Sequence, residues 1–211
     1  MASLLANHIP MEVVKTTDDT TELTQTLPEA AGQTFLQGVP VQLNAGNVQQ
    51  WDGVTIVAGI LGISLENAHN LATAGAGFPG PDGSGAFVPV GFPGTGVTFG
   101  SVPNQPSAVN IPEGAPFSLG GVTYAEAVVN TIFRAQCDNS TGAACTPTKA
   151  NIGMQYGISF DANNHAYIDF AKTTPGVNTV AIIYDLDPID GSIANARILF
   201  KFIKAAMQLS V

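Results

Sequence analysis

The chain has 211 residues, of which 11% are charged and 45% are hydrophobic, and it contains 23 glycines and 14 prolines. It is too apolar for an intrinsically disordered protein, and its glycine and proline content argues against a helical bundle. The net charge of −9 arises between Lys15 and Arg134, where nine Asp and Glu residues occur without a single Lys or Arg. This excess of acids disfavours binding to nucleic acid or to an anionic membrane, because both require clustered basic side chains.

Residues 1–31 are polar and rich in threonine, with little hydrophobic periodicity. This pattern is typical of an extended arm that becomes ordered only against another surface. We therefore expect residues 1–31 to be an assembly arm, with Leu23 and Leu27 as its candidate interface residues.

Residues 32–74 alternate short β-prone runs with turn residues. Val41 and Leu43 point to one side of a predicted half-buried strand, and residues 45–47 (AGN) favour a hairpin turn after it. Residues 51–53 (WDG) are predicted to form a turn whose aromatic side chain packs on a small barrel.

Two neighbouring segments complete this region. The apolar run at residues 54–63 is too short to cross a bilayer and predicts a buried strand. Residues 64–74, with Ser64 as a candidate N-cap, are compatible with a short helix or an irregular loop.

Residues 75–121 contain twelve Gly and eight Pro, which predicts a segment that is mostly loop. Its aromatic side chains are too numerous for a simple flexible linker, so we expect them to anchor the segment across an interface. These interface candidates are Phe78, Phe87, Phe92, Phe99 and Phe117.

The remaining sequence is again β-prone. Residues 122–135 are compatible with a short helix or with a strand. From residue 151 onward, four runs rich in Ile, Tyr, Phe and Val are separated by turn residues and predict an antiparallel meander. Ile198, Phe200 and Phe202 would share the buried face of its last strand.

The predicted organisation is therefore a mainly β protein with a small antiparallel β-barrel or sandwich. Its β-rich core domain comprises residues 32–74 and 122–211, the Gly/Pro-rich loop insertion comprises residues 75–121, and at most one or two short helices are expected. Residues 1–10 lack the basic start of a secretory signal.

Patterns that could indicate cofactor or zinc chemistry are weak. Gly75, Gly77 and Gly80 match the dinucleotide-binding pattern G-x-G-x-x-G, but the neighbouring prolines block the helix that this pattern requires. His69 could pair with a distant acid, although a structural role is favoured. The histidines and cysteines lack zinc spacing. We expect no cofactor, no metal centre and no enzymatic activity.

Two further features are left open by the sequence. Asp185, Asp187 and Asp190 place oxygen atoms near one another as calcium ligands do, but their register differs from an EF-hand, and a solvated hairpin turn is favoured. Cys137 and Cys145 flank a short polar loop and could form a disulfide, while reduced thiols fit equally well.

A family resemblance supplies the functional expectation. The pattern F-x-x-G-x-P-V-x-L, formed by Phe35, Gly38, Pro40, Val41 and Leu43, continues into GNVQQWDG, AGILGIS and ENAHNLATAG. This stretch resembles the head decoration, or cement, proteins of tailed bacteriophages, and the later runs YGISFD, AYIDF, VAIIYDLDP and ARILFKF are similar to the closing strands of the same family.

The resemblance implies a structural virion protein on the exterior of the capsid. Such a protein binds the major capsid protein, usually as a homotrimer, and stabilises the head against internal DNA pressure. The alternative is an extracellular β-sandwich adhesion or carbohydrate-binding module, in which Trp51 or a tyrosine would contact the sugar.

Overall fold

The structure is a computed structural model that describes residues 8–16, 24–30, 32–68, 121–143 and 145–208. These ranges contain eleven β-strands and two single 3-10 turns, at Lys149–Asn151 and Lys204–Ala206. The strands are β1 (Glu12–Thr16), β2 (Thr24–Pro28), β3 (Pro40–Asn44), β4 (Asn47–Gln50), β5 (Gly62–Ser64), β6 (Gly121–Glu126), β7 (Thr131–Asp138), β8 (Gln155–Phe160), β9 (Ala166–Asp169), β10 (Ala181–Leu186) and β11 (Arg197–Phe202). The prediction of a mainly β protein is confirmed.

Five of the strands close into a barrel. β7 pairs with β11, β11 with β10, β10 with β8, and β8 with β9, all antiparallel, and β9 returns to β7 in parallel. β1 adds to β7 beside this ring. The order differs from a simple meander because β10 pairs with β8 rather than with β9, and the long connection at residues 170–180 allows the chain to pass β8.

The second sheet has the order β2-β6-β5-β3-β4 and is antiparallel throughout. Ala45 and Gly46 both have positive φ, at 50° and 85°, which is the conformation of a two-residue hairpin turn and confirms the predicted turn. An isolated bridge between Glu29 and Val48 brings the two edges of this sheet together.

One continuous core lies between these strands and contains buried residues from both sheets. Ile198, Phe200 and Phe202 are buried and belong to this core, as their alternation in the sequence predicts. The C-terminal segment connects the two sheets. Ile60 and Met207 form a β-bridge, and the side-chain amide of Gln208 forms hydrogen bonds with the backbone N–H and C=O of Leu43.

Two of the local predictions require correction. Residues 122–135 form β6 and β7, so the helix alternative is wrong; Val122 and Tyr124 are buried on one side of β6 while Thr123 between them is partly exposed. Residues 54–58 are not a buried strand but an exposed loop, and pairing begins only at Ile60. The described part of residues 64–74 continues from β5 as bends rather than as a helix.

The described parts of residues 1–31 are extended and pair within the chain. β1 lies beside β7, and β2 lies beside β6. Met11 is buried, and its backbone amide donates to the oxygen of Gly38. Gly38 has a φ of 79°, and a Cβ atom there would collide with the backbone of Met11, so only glycine permits this approach. The segment after His8 therefore bridges the barrel and the second sheet.

Candidate interaction surfaces

The predicted interface residues fall into two groups. Leu27 is half-buried in β2 and packs against the core. The other candidates lie outside the described residues, namely Leu23, Phe78, Phe87, Phe92, Phe99 and Phe117. His69 and the glycine motif at residues 75–80 also lie outside them.

The loop at residues 51–59 is held at its start by two side chains. Trp51 is only 2% exposed, and its Nε1 donates to the backbone oxygen of Thr55 at 2.8 Å. Asp52 Oδ1 accepts the backbone amides of Val54 and Thr55 at 2.8 and 2.7 Å. The predicted turn at residues 51–53, with its aromatic side chain packed on the sheet, is therefore confirmed.

Hydrogen bonds within the turn favour the charged form of Asp52. Burial raises the pKa of its carboxyl group, but hydrogen bonds from the Thr55 side chain and from the amides of Thr55 and Val54 outweigh burial and hold the pKa below its usual value. The turn is thus stabilised by an ionised acceptor, which forms stronger hydrogen bonds than a neutral one.

The same loop is held at its end by the C-terminal segment. Ala58 donates to the oxygen of Ala205 at 2.8 Å, and Gly59 donates to the oxygen of Ala206 at 3.0 Å. A Cβ atom on Gly59 would overlap the backbone oxygen of Thr55, so the loop closes tightly only with glycine there. Both ends of the loop are therefore fixed.

This braced loop displays apolar side chains. Val54 is 76% exposed and Val57 is 66% exposed, while Ile56 between them packs against the core. A cavity of about 270 Å³ beside the loop is lined in part by Gln42, Thr55 and Gln208. The loop thus combines two projecting valines with a neighbouring polar recess that can receive side chains of a partner.

A second braced loop connects β10 to β11 at residues 187–196. Asp187 is fully buried, its Oδ1 accepts the amide of Ile189 at 2.7 Å, and its Oδ2 forms a 2.7 Å ion pair with Nε of Arg134. Asn195 donates its amide to the oxygen of Cys145 at 2.7 Å. The Arg134 side chain of β7 and the Cys145 backbone oxygen thereby hold this loop.

Asp190 and Arg197 close the base of the loop. Arg197 donates from Nε to Asp190 Oδ2 at 2.8 Å and from a terminal nitrogen to Oδ1 at 3.2 Å. These hydrogen bonds lower the pKa of Asp190 and raise the pKa of Arg197. The bidentate geometry adds directional constraint to the charge attraction.

The acidic motif of this loop braces the backbone. Asp187 and Asp190 contact arginines and backbone amides, and Asp185 accepts the amide of Leu186. The backbone forms turns at residues 188–192, consistent with the favoured hairpin-turn interpretation. The side chains that the loop presents outward are Ile189 and Ile193, which are 74% and 60% exposed.

The two loops lie at opposite ends of β11. Loop 187–196 leads into β11 at Arg197, whereas the residues that bind loop 51–59 follow the end of β11 at Phe202. A strand of this length spans about 20 Å. The chain therefore displays braced apolar loops at two separated positions.

The most elaborate polar cluster is internal. His8 is buried between two carboxylates, with Nδ1 at 3.0 Å from Asp161 and Nε2 at 3.1 Å from Asp138. Its ring stacks on Tyr167 with the centroids 4.3 Å apart. Within the described ranges, no three His, Cys, Asp or Glu side chains are arranged to hold a metal ion. The cluster anchors the N-terminal segment against the barrel.

Asp161 makes stability depend on pH. Burial raises its pKa, but hydrogen bonds from the His165 backbone and from the His8 side chain and backbone outweigh burial and hold the pKa below its usual value. A lowered folded pKa contributes stability that is complete above the unfolded pKa of about 3.9 and is lost as pH falls through the folded pKa.

We expect the free energy of unfolding to decrease below about pH 4, and to decrease less steeply in Asp161→Asn. Urea unfolding across this pH range measures both slopes, and equal slopes would contradict the assignment.

Comparisons with protein-family models, with curated proteins and with solved structures find no match for this chain. Its 3-10 turns are each three residues long, and among the described residues no helix has the length and apolar character needed to span a membrane. Functional inference therefore depends on the chain's own surfaces.

The sequence predicts a turn in each loop but not the side-chain contacts that brace it, although signals for this bracing exist. Asp52 precedes Thr55 by three residues, a spacing at which the carboxylate can cap a turn. The apolar run that follows predicts a strand instead. In the sequence Asp187 and Asp190 resemble cation ligands, whereas in the structure they contact Arg134 on β7 and Arg197 at the start of β11.

Proposed function

We propose that this chain is a structural virion protein that binds the outer surface of a phage capsid and stabilises the head, acting without catalysis. The observation that carries the proposal is the pair of braced apolar loops at opposite ends of β11. Preorganised loops lose little conformational entropy on binding, so their exposed valines and isoleucines are suited to permanent contacts. Two separated contact points allow one chain to bridge neighbouring capsid subunits.

The distribution of charge supports an oriented attachment. All seven Lys and Arg residues lie in β1 or in residues 134–204, so residues 24–30, 32–68 and 121–126, which form the second sheet and its described connections, contain four acids and no bases. Two of these acids, Glu29 and Glu126, are buried, and Asp52 is exposed. Loop 51–59 belongs to this acidic part of the molecule, and Asp52 within it is ionised. We therefore expect loop 51–59 to face a basic region of the major capsid protein. Electrostatic complementarity between the two surfaces would orient the attached chain.

The alternative of a carbohydrate-binding module is less well supported. Trp51 is buried and its Nε1 already donates to Thr55, so its ring is not available to stack on a sugar. Tyr184 is partly exposed, but the Lys201 ammonium group lies 5.0 Å from the centre of its ring. A saturable glycan signal in a binding assay would favour this alternative.

Self-association belongs to the same proposal. A homotrimer has an expected mass of about 65 kDa, three times the 21.7 kDa of the chain. Multi-angle light scattering of the purified chain measures this mass directly. A monomer at micromolar concentration would restrict trimer formation to the capsid surface.

The attachment test uses heads that lack the protein and double substitutions in each loop. We expect Val54→Ser with Val57→Ser, and separately Ile189→Ser with Ile193→Ser, to weaken binding by about 10- to 100-fold, because exposed apolar anchors dominate interface energy. Co-sedimentation with the heads measures binding, and the thermal unfolding midpoint should stay unchanged because these side chains are mostly exposed.

The matched control is Val177→Ser, which removes an equally exposed valine, 66% exposed, from the connection between β9 and β10. It is expected to bind like the unmodified chain. If both double variants also bind normally, the loops are not the attachment sites. Deletion of residues 1–31 is a poorer test of attachment, because it would remove β1 and β2 from their sheets.

A further inference from the structure

Two buried thiols lie side by side at the base of loop 187–196. Cys137 and Cys145 are both buried and unbridged, and the neighbouring Cys145 side chain raises the pKa of the Cys137 thiol. The backbones of both cysteines hydrogen-bond to the dipeptide Asn195-Ala196. Cys137 donates its amide to the oxygen of Ala196 at 3.0 Å, and Cys145 accepts the amide of Asn195 at 2.7 Å. The fold thus brings the two cysteines to the same dipeptide across a short loop.

We propose that Cys137 and Cys145 form a redox modification site that closes to an intramolecular disulfide when the chain meets a low-molecular-weight disulfide such as oxidised glutathione. The thiolate of one cysteine attacks the reagent, forms a mixed disulfide and releases one reduced thiol. The second cysteine then attacks the mixed disulfide, which forms the protein S–S bond and releases the second reduced thiol. Each protein thiol loses a proton, and the reagent accepts two electrons.

The surroundings of the pair make this reaction slow in the folded chain. The contact with Cys145 and burial both raise the pKa of the Cys137 thiol, so the thiolate of Cys137 is scarce at neutral pH. Burial also shields both sulfur atoms from the reagent. Oxidation therefore requires local opening of the segment between the two cysteines, and the same shielding protects the completed disulfide from reduction.

The bridge would strengthen a structurally important junction. It links the end of β7 to the segment that holds Asn195, and thereby fastens the base of loop 187–196. By restricting the unfolded chain, a disulfide of this loop length is expected to raise the unfolding midpoint by roughly 5–10 °C in a chain of this size. This inference concerns the thiols alone and stands whether or not the loop binds a capsid.

The test begins with refolding from urea in a glutathione redox buffer, which avoids the slow reaction of the folded chain. The expected product is a chain without intermolecular disulfides that has lost two hydrogen atoms by intact mass under denaturing conditions, has no titratable thiol and unfolds at the higher temperature. Cys137→Ser and Cys145→Ser are the controls, because neither can form the internal bridge, and neither should gain stability from the oxidant.

The contrary results are equally distinct. Two titratable thiols after refolding, stable glutathione adducts on the unmodified chain, or disulfide-linked dimers would each overturn the proposal. A bridged product without any rise in the unfolding midpoint would overturn the claim that the bond fastens this junction. Treating the folded chain with the same reagent then measures the predicted protection, since its oxidation should be much slower than during refolding.

Discussion

Replacement of His8 by alanine is expected to lower the free energy of unfolding by about 3–5 kcal/mol, because it leaves buried carboxylates without their shared partner. Asp138 and Asp161 lie 3.1 and 3.0 Å from the two ring nitrogens of His8, and the side chains of all three residues are almost completely buried. The substitution also removes the stacking contact with Tyr167. Urea unfolding followed by circular dichroism measures the loss.

Two controls separate the loss of these polar contacts from a general loss of packing. His165→Ala removes a histidine that is partly exposed and 3.4 Å from Asp161, so it should cost less than about 1 kcal/mol. Adding Asp138→Asn and Asp161→Asn to His8→Ala should recover part of the stability, because neutral amides are less costly to bury. A loss below about 1 kcal/mol for His8→Ala itself would show that the cluster does not anchor the N-terminal segment.

This cluster illustrates what local sequence patterns can and cannot predict. The period-two alternation of Ile198, Phe200 and Phe202 is a property of neighbouring residues, and it correctly predicts the buried face of β11. The pairing of His8 with Asp161 joins residues 153 positions apart, and nothing in the local sequence of either indicates the other. The N-terminal segment consequently resembles a free arm in sequence, although it is anchored in the fold.

The predictions of the strand order and of a buried strand after Trp51 were wrong for related reasons. Local sequence patterns locate β8, β9 and β10. They do not reveal that β10 pairs with β8, because this pairing depends on closure of the barrel through β9 and β7. The apolar run after Trp51 looks like a buried strand because hydrophobicity alone does not reveal that Asp52 caps a turn there. The exposed valines of the candidate surface were therefore predicted to lie in the core.

The second large effect is expected at the aromatic centre of the barrel. Phe200 is fully buried, with its ring centroid 5.7 Å from that of Phe133 and 5.4 Å from that of Phe202. The rings of Phe133 and Phe202 are themselves 5.2 Å apart, so the three side chains form a closed cluster. Phe200→Ala would leave a cavity and remove two aromatic contacts, and we expect it to lower the free energy of unfolding by about 3–5 kcal/mol.

Neighbouring variants make this prediction specific. Phe200→Leu retains most of the apolar volume and should cost less than about 2 kcal/mol, whereas Lys201→Ala, on the partly exposed face of β11, should change stability by about 0.5 kcal/mol or less. Urea unfolding midpoints and slopes measure all three variants, and similar losses for Phe200→Ala and Lys201→Ala would contradict the assigned core.

Because β11 connects the two braced loops, a chain that stays folded after Phe200→Ala should also keep both attachment points. Its binding to heads at low temperature should then match that of the unmodified chain, which separates the role of the core from that of the surface.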